Sequence, residues 1–179
     1  MSEKTALTIS IGVLGAVAVV VTGSVLLVPV WVVFIAWASF FIVGGGLDGL
    51  KRSVASNLTG SVLAGIVLLI NESAGVGLIL AALVVGLGSA AMVQASRVSL
   101  LSTLPAIVWG FASTVGTQAV TDRAVTTPAI NNPWLMAVVA LLLGAVFGIV
   151  SERAAALMNS SHGAAGAGAA ASGPQESNA

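Results

Sequence analysis

From residue 6 to residue 151 the chain is almost continuously apolar, and its few polar residues fall in clusters that cut this run into six segments. A helix needs about 20 apolar residues to cross a bilayer. The interruptions predict spans at roughly 6–28, 30–46, 53–71, 74–95, 98–119 and 132–151. Pro29 separates the first two, because residues 6–46 are too long for one crossing and proline disrupts a helix interior. Gly44-Gly45-Gly46 is expected to end the second, and Asn71-Glu72-Ser73 to form a tight hairpin after the third. Ser96-Arg97 divides the fourth from the fifth. Thr121-Asp122-Arg123 through Asn131-Asn132-Pro133 is expected as the only long loop, with Pro133 suited to opening the last helix.

The segments appear in two matching sets. Gly12-Val-Leu-Gly-Ala-Val-Ala-Val-Val-Val-Thr-Gly-Ser24 aligns without a gap with Gly77-Leu-Ile-Leu-Ala-Ala-Leu-Val-Val-Gly-Leu-Gly-Ser89. Ile35-Ala-Trp37-Ala matches Ile107-Val-Trp109-Gly, and Gly65-Ile-Val67 matches Gly148-Ile-Val150. Three spans per half turn the second copy upside down, an arrangement that sets working residues near the midplane in many transport proteins. The expected fold is therefore an all-α membrane protein of six transmembrane helices in a 3+3 inverted repeat. Its transmembrane domain covers residues 1–152, with halves 6–72 and 73–152.

A chain that is 58% hydrophobic and 7% charged, with mean hydropathy +1.10, has too few polar residues to cover a water-exposed surface. Zero net charge argues against nucleic acid as a partner, and the lack of cysteine removes disulfide and thiolate chemistry. Glu3 and Lys4 followed by apolar sequence resemble the start of a signal peptide. The apolar run, however, continues far beyond any h-region without a cleavage site, so it reads as an uncleaved first span. With the N-terminus in the cytoplasm, Lys4, Lys51, Arg52, Arg97 and Arg153 all lie inside and only Arg123 lies outside. The positive-inside rule thus places both termini in the cytoplasm. Residues 153–179, rich in Ala, Gly and Ser, read as a helix end followed by a disordered tail.

Trp31 and Trp134 fall at the external ends of the second and sixth spans, where indole anchors to headgroups. Trp37 and Trp109 fall mid-span, where an indole N–H needs a partner or a cavity. With Phe40, Phe41 and Phe111 as walls and Ser39, Ser113 and Thr114 as hydrogen-bonding groups, they could form a constriction selecting small solutes. Equally, the rings could pack between helices with their N–H groups bonded to carbonyls. Asn57, one turn inside the third span, could line an inner mouth or tie helices together. Gln94 and Gln118 can reach interfacial water, and Thr22, Thr59 and Thr103 can bond their own backbone. Small residues recur at four-residue spacing in Ser56/Gly60/Ala64, Ala82/Gly86/Ala90 and Ala140/Gly144/Gly148, faces suited to close helix packing or to a homo-oligomer contact.

No predicted span interior contains Asp, Glu, Lys, Arg or His. A proton-coupled transporter normally carries a protonatable group in its path. The single His162 lies in the tail, so neither a metal site nor a catalytic triad is expected. A P-loop is absent, and Gly44–Gly46 with Asp48 and Gly49 is explained by helix termination. No cofactor and no enzymatic activity are expected.

The segments Trp31-Val-Val-Phe-Ile-Ala-Trp-Ala-Ser-Phe-Phe-Ile-Val-Gly-Gly-Gly, Asn57-Leu-Thr-Gly60 and Ser99-Leu-Leu-Ser-Thr-Leu-Pro-Ala-Ile-Val-Trp-Gly-Phe-Ala-Ser-Thr resemble a bacterial inner-membrane family catalogued as domain of unknown function 1097. The resemblance covers about residues 8–152. It implies a small multi-span protein of the bacterial inner membrane and carries no activity.

The expected function is a passive channel or facilitator for a small neutral or weakly polar solute of the urea, ammonia or short-amide type. The alternative is a non-transporting membrane subunit that assembles through its small-residue faces. The charge asymmetry yields a direct test. Single cysteines near residues 51 and 97 should label only from the cytoplasm, and those near 72 and 125 only from outside. External labelling at 51 would reverse the orientation.

Overall fold

The computed structural model describes residues 2–75 and 77–171, with side-chain surroundings through residue 160. Among these residues the chain is all-helical. Helix α1 (Glu3–Val21) widens into a π-helical turn at Thr22–Leu26 before Pro29. It is followed by α2 (Val30–Ile42), α3 (Gly46–Ala74), α4 (Leu78–Ala95), a 3-10 turn at Ser99–Leu101, α5 (Leu104–Thr121) and α6 (Pro133–Ala171). The α1 run through Leu26, α3, α4 and the first 28 residues of α6 are each long and apolar enough to cross a membrane.

Several boundaries depart from the sequence expectation. Helix α2 has 13 residues, not the 17 of 30–46, and at about 1.5 Å per residue it reaches only about 20 Å. Gly44, Gly45 and Gly46 all have positive φ, so the chain reverses there at once and α3 begins at Gly46 rather than at 53. Asn71-Glu72-Ser73 is not a hairpin but the last turn of α3. The reversal comes at Gly75, which takes the left-handed conformation that ends helices. Helix α6 runs past Arg153 to Ala171, because alanine is the strongest helix former and no proline intervenes before Pro174. The tail expected from 153 is thus helical as far as 171, and its residues 172–179 lie outside the described residues.

Four helices form the centre. The most extensive packing is between α3 and α5 and between α2 and α6, with α3 also against α6. Helix α1 leans on α6 and α4 on α3, and these two are the least enclosed of the four long apolar helices, with 17% and 11% of their apolar windows buried against 39% and 44% for α3 and α6. One cluster of buried apolar residues joins α1, α2 and α6 around Val33, Trp37 and Leu141. A second joins α3, α4 and α5 around Val67, Met92 and Phe111.

Glycine sets the central spacing. A Cβ on Gly60 would collide with the Ile107 carbonyl and the Phe111 nitrogen of α5, and one on Gly110 would collide with the Asn57 backbone. Gly144 meets α2 in the same way, at the Val33 carbonyl and the Trp37 nitrogen, and Gly148 lies under the Phe40 ring. The expected packing role of Gly60, Gly144 and Gly148 thus has a direct steric basis. Gly86 is different: it is exposed and nothing lies within 4 Å of a Cβ placed there. The stripe Ala82/Gly86/Ala90 faces outward, because the residue of α4 that meets α3 and α5 is Gly88, against Val67 and Phe111.

Two alanine substitutions should therefore move stability in opposite directions. Gly60→Ala forces α3 and α5 apart and should destabilise the protein by about 1–3 kcal/mol. Gly86→Ala meets open space and should stabilise it by up to about 1 kcal/mol through helix propensity. Thermal unfolding in detergent reads both, and a loss at Gly86 would mean that its face is occupied.

Candidate functional site

A seam of hydroxyl and amide groups runs between α2, α3 and α5. Four-residue spacing puts Ser53, Asn57 and Ser61 on one face of α3, and all three are at most 1% exposed. At one end of the seam Ser53 donates to Ser39 of α2 at 3.0 Å, and the Asn57 amide donates to Ser53 at 3.2 Å. Further along α3, Thr114 of α5 bonds Ser61 at 2.7 Å, and its oxygen also lies 3.0 Å from the Gly110 carbonyl. Ser113 and Thr117 continue the line on α5, fully buried, with Thr117 donating to the Ser113 carbonyl.

Not every group in this seam is paired. The Asn57 carbonyl oxygen Oδ1 and the hydroxyls of Ser56 and Ser113 are shut off from solvent and have no hydrogen-bond partner. An unmade hydrogen bond at a buried polar atom costs about 1–3 kcal/mol. Asn57 lies at the α3–α5 contact itself, where its backbone meets Gly110. The seam holds no ionisable side chain; its nearest charges are Lys51 and Arg52, at the start of α3. Its chemistry is limited to donating and accepting hydrogen bonds. Metal-ligand clusters are absent among the described residues.

The aromatic residues expected to form a constriction are not gathered there. Trp37 is buried in the α1–α2–α6 cluster, stacked between Phe34 and Phe147 at centroid distances of 5.9 and 5.4 Å. Its indole N–H donates to Ser151 Oγ at 3.0 Å, Ser151 donates to the Gly148 carbonyl, and Ser10 donates to the Ser151 carbonyl. This is the packing alternative, with a hydroxyl as the partner. Phe40 is buried on Gly148 and meets Phe41 edge-on, while Phe41 lines a cavity of about 350 Å³ with Glu3 and Glu152. Phe111 belongs to the α3–α4–α5 cluster, and Trp109 is half-buried outside both clusters. Of the expected site residues, Ser39 and Asn57 are joined through Ser53 and Thr114 bonds Ser61 on the same face of α3; Ser113 is buried on α5 with its hydroxyl unpaired, and Trp37, Trp109, Phe40, Phe41 and Phe111 flank them or lie apart. Trp31 covers Gly116, and Trp134 lies over Gly65 with its N–H bonded to the Ser61 carbonyl at 3.1 Å.

Sequence reasoning passed over Ser53, Ser61 and Ser151. The i, i+4 series 53/57/61 was the available signal, adjacent to the small-residue stripe 56/60/64. Two carboxylates were also missed. Glu152 accepts from the Gly46 N–H at 2.8 Å, holding the α2–α3 turn, and Glu72 accepts from the Val125 N–H at 2.8 Å, holding the α5–α6 loop. Both contacts cross more than 50 residues, and no local pattern announces them.

A double-mutant cycle tests the indole bond. Ser151→Ala leaves a buried N–H unpaired and should cost about 1–3 kcal/mol. In a Trp37→Phe background, which has no donor, the same change should cost much less. Equal costs in both backgrounds would mean that Ser151 acts through other contacts.

A family model described as "Protein of unknown function (DUF1097)" matches residues 8–156. No curated protein and no solved structure matches the chain.

Proposed function

We propose that this chain, which belongs to the DUF1097 family, is a passive facilitator for a small neutral or weakly polar solute in the bacterial inner membrane, both termini being cytoplasmic. The observation that carries the reading is the uncharged polar seam with unpartnered atoms at Ser56, Asn57 and Ser113. Polar groups inside a membrane are expensive, and those left without a partner have a donor or acceptor to offer a solute. Asn57 Oδ1 offers an acceptor to an N–H, and the serines can donate or accept, so a urea, ammonia or short-amide solute matches the set. A charged solute finds no counter-charge in the seam. For the same reason a proton has nothing to titrate there, and transport is passive.

The packing pattern supports a 3+3 inverted repeat. Exchanging α1 with α4, α2 with α5 and α3 with α6 leaves the set of packed pairs unchanged: α3–α5 becomes α6–α2, α1–α6 becomes α4–α3, and α2–α3 becomes α5–α6. The glycine contacts support one register for that repeat. Gly60 meets Ile107 and Phe111 as Gly144 meets Val33 and Trp37. In this register the counterpart of Trp37 is Phe111, not Trp109, and that of Ser39 is Ser113. The counterpart of Ser53 is Ala137, which has no hydroxyl to offer, and this accounts for the unpaired Ser113.

In the packing described, α3 and α5 touch backbone to backbone at Gly60 and Gly110, so the seam is closed midway. Passage then requires these helices to part, and the facilitator alternates between closed and open arrangements. A second reading, a non-transporting membrane subunit, is favoured by that closure and by the outward-facing Ala82/Gly86/Ala90 stripe.

Proteoliposomes separate the two. The wild type should equilibrate urea or a short amide at a rate indifferent to proton or sodium gradients. Asn57→Ala, which removes the amide bond to Ser53 and the free acceptor Oδ1, should slow this about tenfold, the kinetic equivalent of roughly 1.4 kcal/mol. Gradient-driven accumulation would sink the passive reading, and an absence of flux for all small neutral solutes would favour the subunit.

A further inference from the structure

We propose that Lys51, Arg52 and Ser99 form a binding site for the phosphate of an anionic phospholipid headgroup, at the end of the bundle where α3 begins and α4 gives way to α5. The site is independent of whether a solute crosses the protein. A cavity of about 430 Å³ opens there, lined by Asp48, Lys51, Arg52, Ser99 and Leu100. That volume admits a phosphate group with part of its glycerol.

Arg52 is held in place rather than free in solvent. Its Nη2 donates to Ser102 at 2.8 Å, which draws the guanidinium from α3 across to the linker before α5. Its Nε is shielded from solvent and has no acceptor. A guanidinium carries five donors in a rigid fork, and Nε with a neighbouring terminal nitrogen is the pair that grips a phosphate in bidentate fashion. The unpaired Nε is thus a donor that a phosphate satisfies when the guanidinium turns toward the cavity. Lys51 supplies a second cation beside it. Its pairing with Asp48 is 3.8 Å long with both side chains largely exposed, at 73% and 94%, so it gives way readily to a phosphate. Ser99 adds a hydroxyl on the opposite wall. Two cations against one carboxylate leave the cavity net positive.

The surroundings select a lipid over a free anion. Leu47, Val98 and Leu100 are exposed at 57%, 54% and 47%. Leucine and valine beside a basic cavity are poor company for a hydrated ion, but they suit the first carbons of an acyl chain. Each basic side chain near an anionic leaflet adds to a general attraction. A site that also fixes geometry should discriminate beyond that general attraction.

The test uses the full chain in neutral detergent, with thermal melts and native mass spectrometry. The probes are dioleoyl phosphatidylglycerol, dioleoyl phosphatidylcholine and inorganic phosphate. The expected result is that phosphatidylglycerol binds at least fivefold more tightly than phosphatidylcholine, with little effect of inorganic phosphate. Lys51→Gln should reduce that preference at least threefold, and Arg52→Gln should reduce it further. Lys51 makes no contact that the fold needs, so its variant keeps the test valid even if Arg52→Gln fails to fold. Arg153→Gln, an exposed cation elsewhere on the chain, should leave the preference unchanged. Equal binding of the two lipids, or equal losses in Lys51→Gln and Arg153→Gln, would overturn the site. A melt shift from inorganic phosphate as large as that from phosphatidylglycerol would also overturn it, in favour of a free-anion site.

Discussion

The fold depends on how closely α3 approaches α5 and α6 approaches α2. At Gly60, Gly110 and Gly144 the backbones themselves are in contact, and one added methyl group at any of these positions would meet a carbonyl or an amide. Water contributes no hydrophobic drive between helices inside a lipid phase, so association there rests on packing and on hydrogen bonds. Close backbone approach supplies the first. It also brings Ser61 within reach of Thr114, which supplies the second. Were these helices farther apart by one methyl group, both would be lost together.

From that contact the remainder of the arrangement follows. The central four helices have their small and hydroxyl-bearing faces turned inward. Trp37 and Phe147 on one side and Phe111 on the other are displaced to two clusters, where volume is needed to fill the wedges against α1 and α4. Trp37 fills one wedge and Phe111 the other, and only Trp37 has a polar atom to satisfy, which Ser151 does. At the two ends of the bundle, Glu152 and Glu72 each accept from the backbone of a link in the opposite half. Both links are irregular, and a fixed carboxylate is what holds each in one conformation.

The number and order of helices were legible in the sequence because hydropathy reports them directly. Pro29 and Pro133 stand where a helix is broken or begins, as their backbone chemistry requires. The end of α3 was misplaced, since Asn71-Glu72-Ser73 has the composition of a turn yet continues the helix until Gly75 supplies the left-handed residue. Packing faces were legible where one residue type leaves no alternative, as at Gly60 and Gly144. They were illegible on α4, where Gly86 and Gly88 are two residues apart and only the neighbouring helices determine which is covered. Half of the seam, Ser39, Asn57, Ser113 and Thr114, was recognisable as mid-span polar residues. Trp37 was grouped with them because its burial is real, but burial does not tell which helices surround a ring.

The polar face of α3 has a consequence for how the protein is made. Ser61 finds its partner on α5, roughly 50 residues further along the chain. During synthesis at about 5–20 residues per second, α3 is therefore complete several seconds before that partner exists. For that interval its serines and Asn57 have only α2 and their own backbone to bond. Until α5 is made, the first three helices carry a polar edge whose partner is still missing. The speed of translation between α3 and α5 thus becomes part of what determines how much protein is folded correctly.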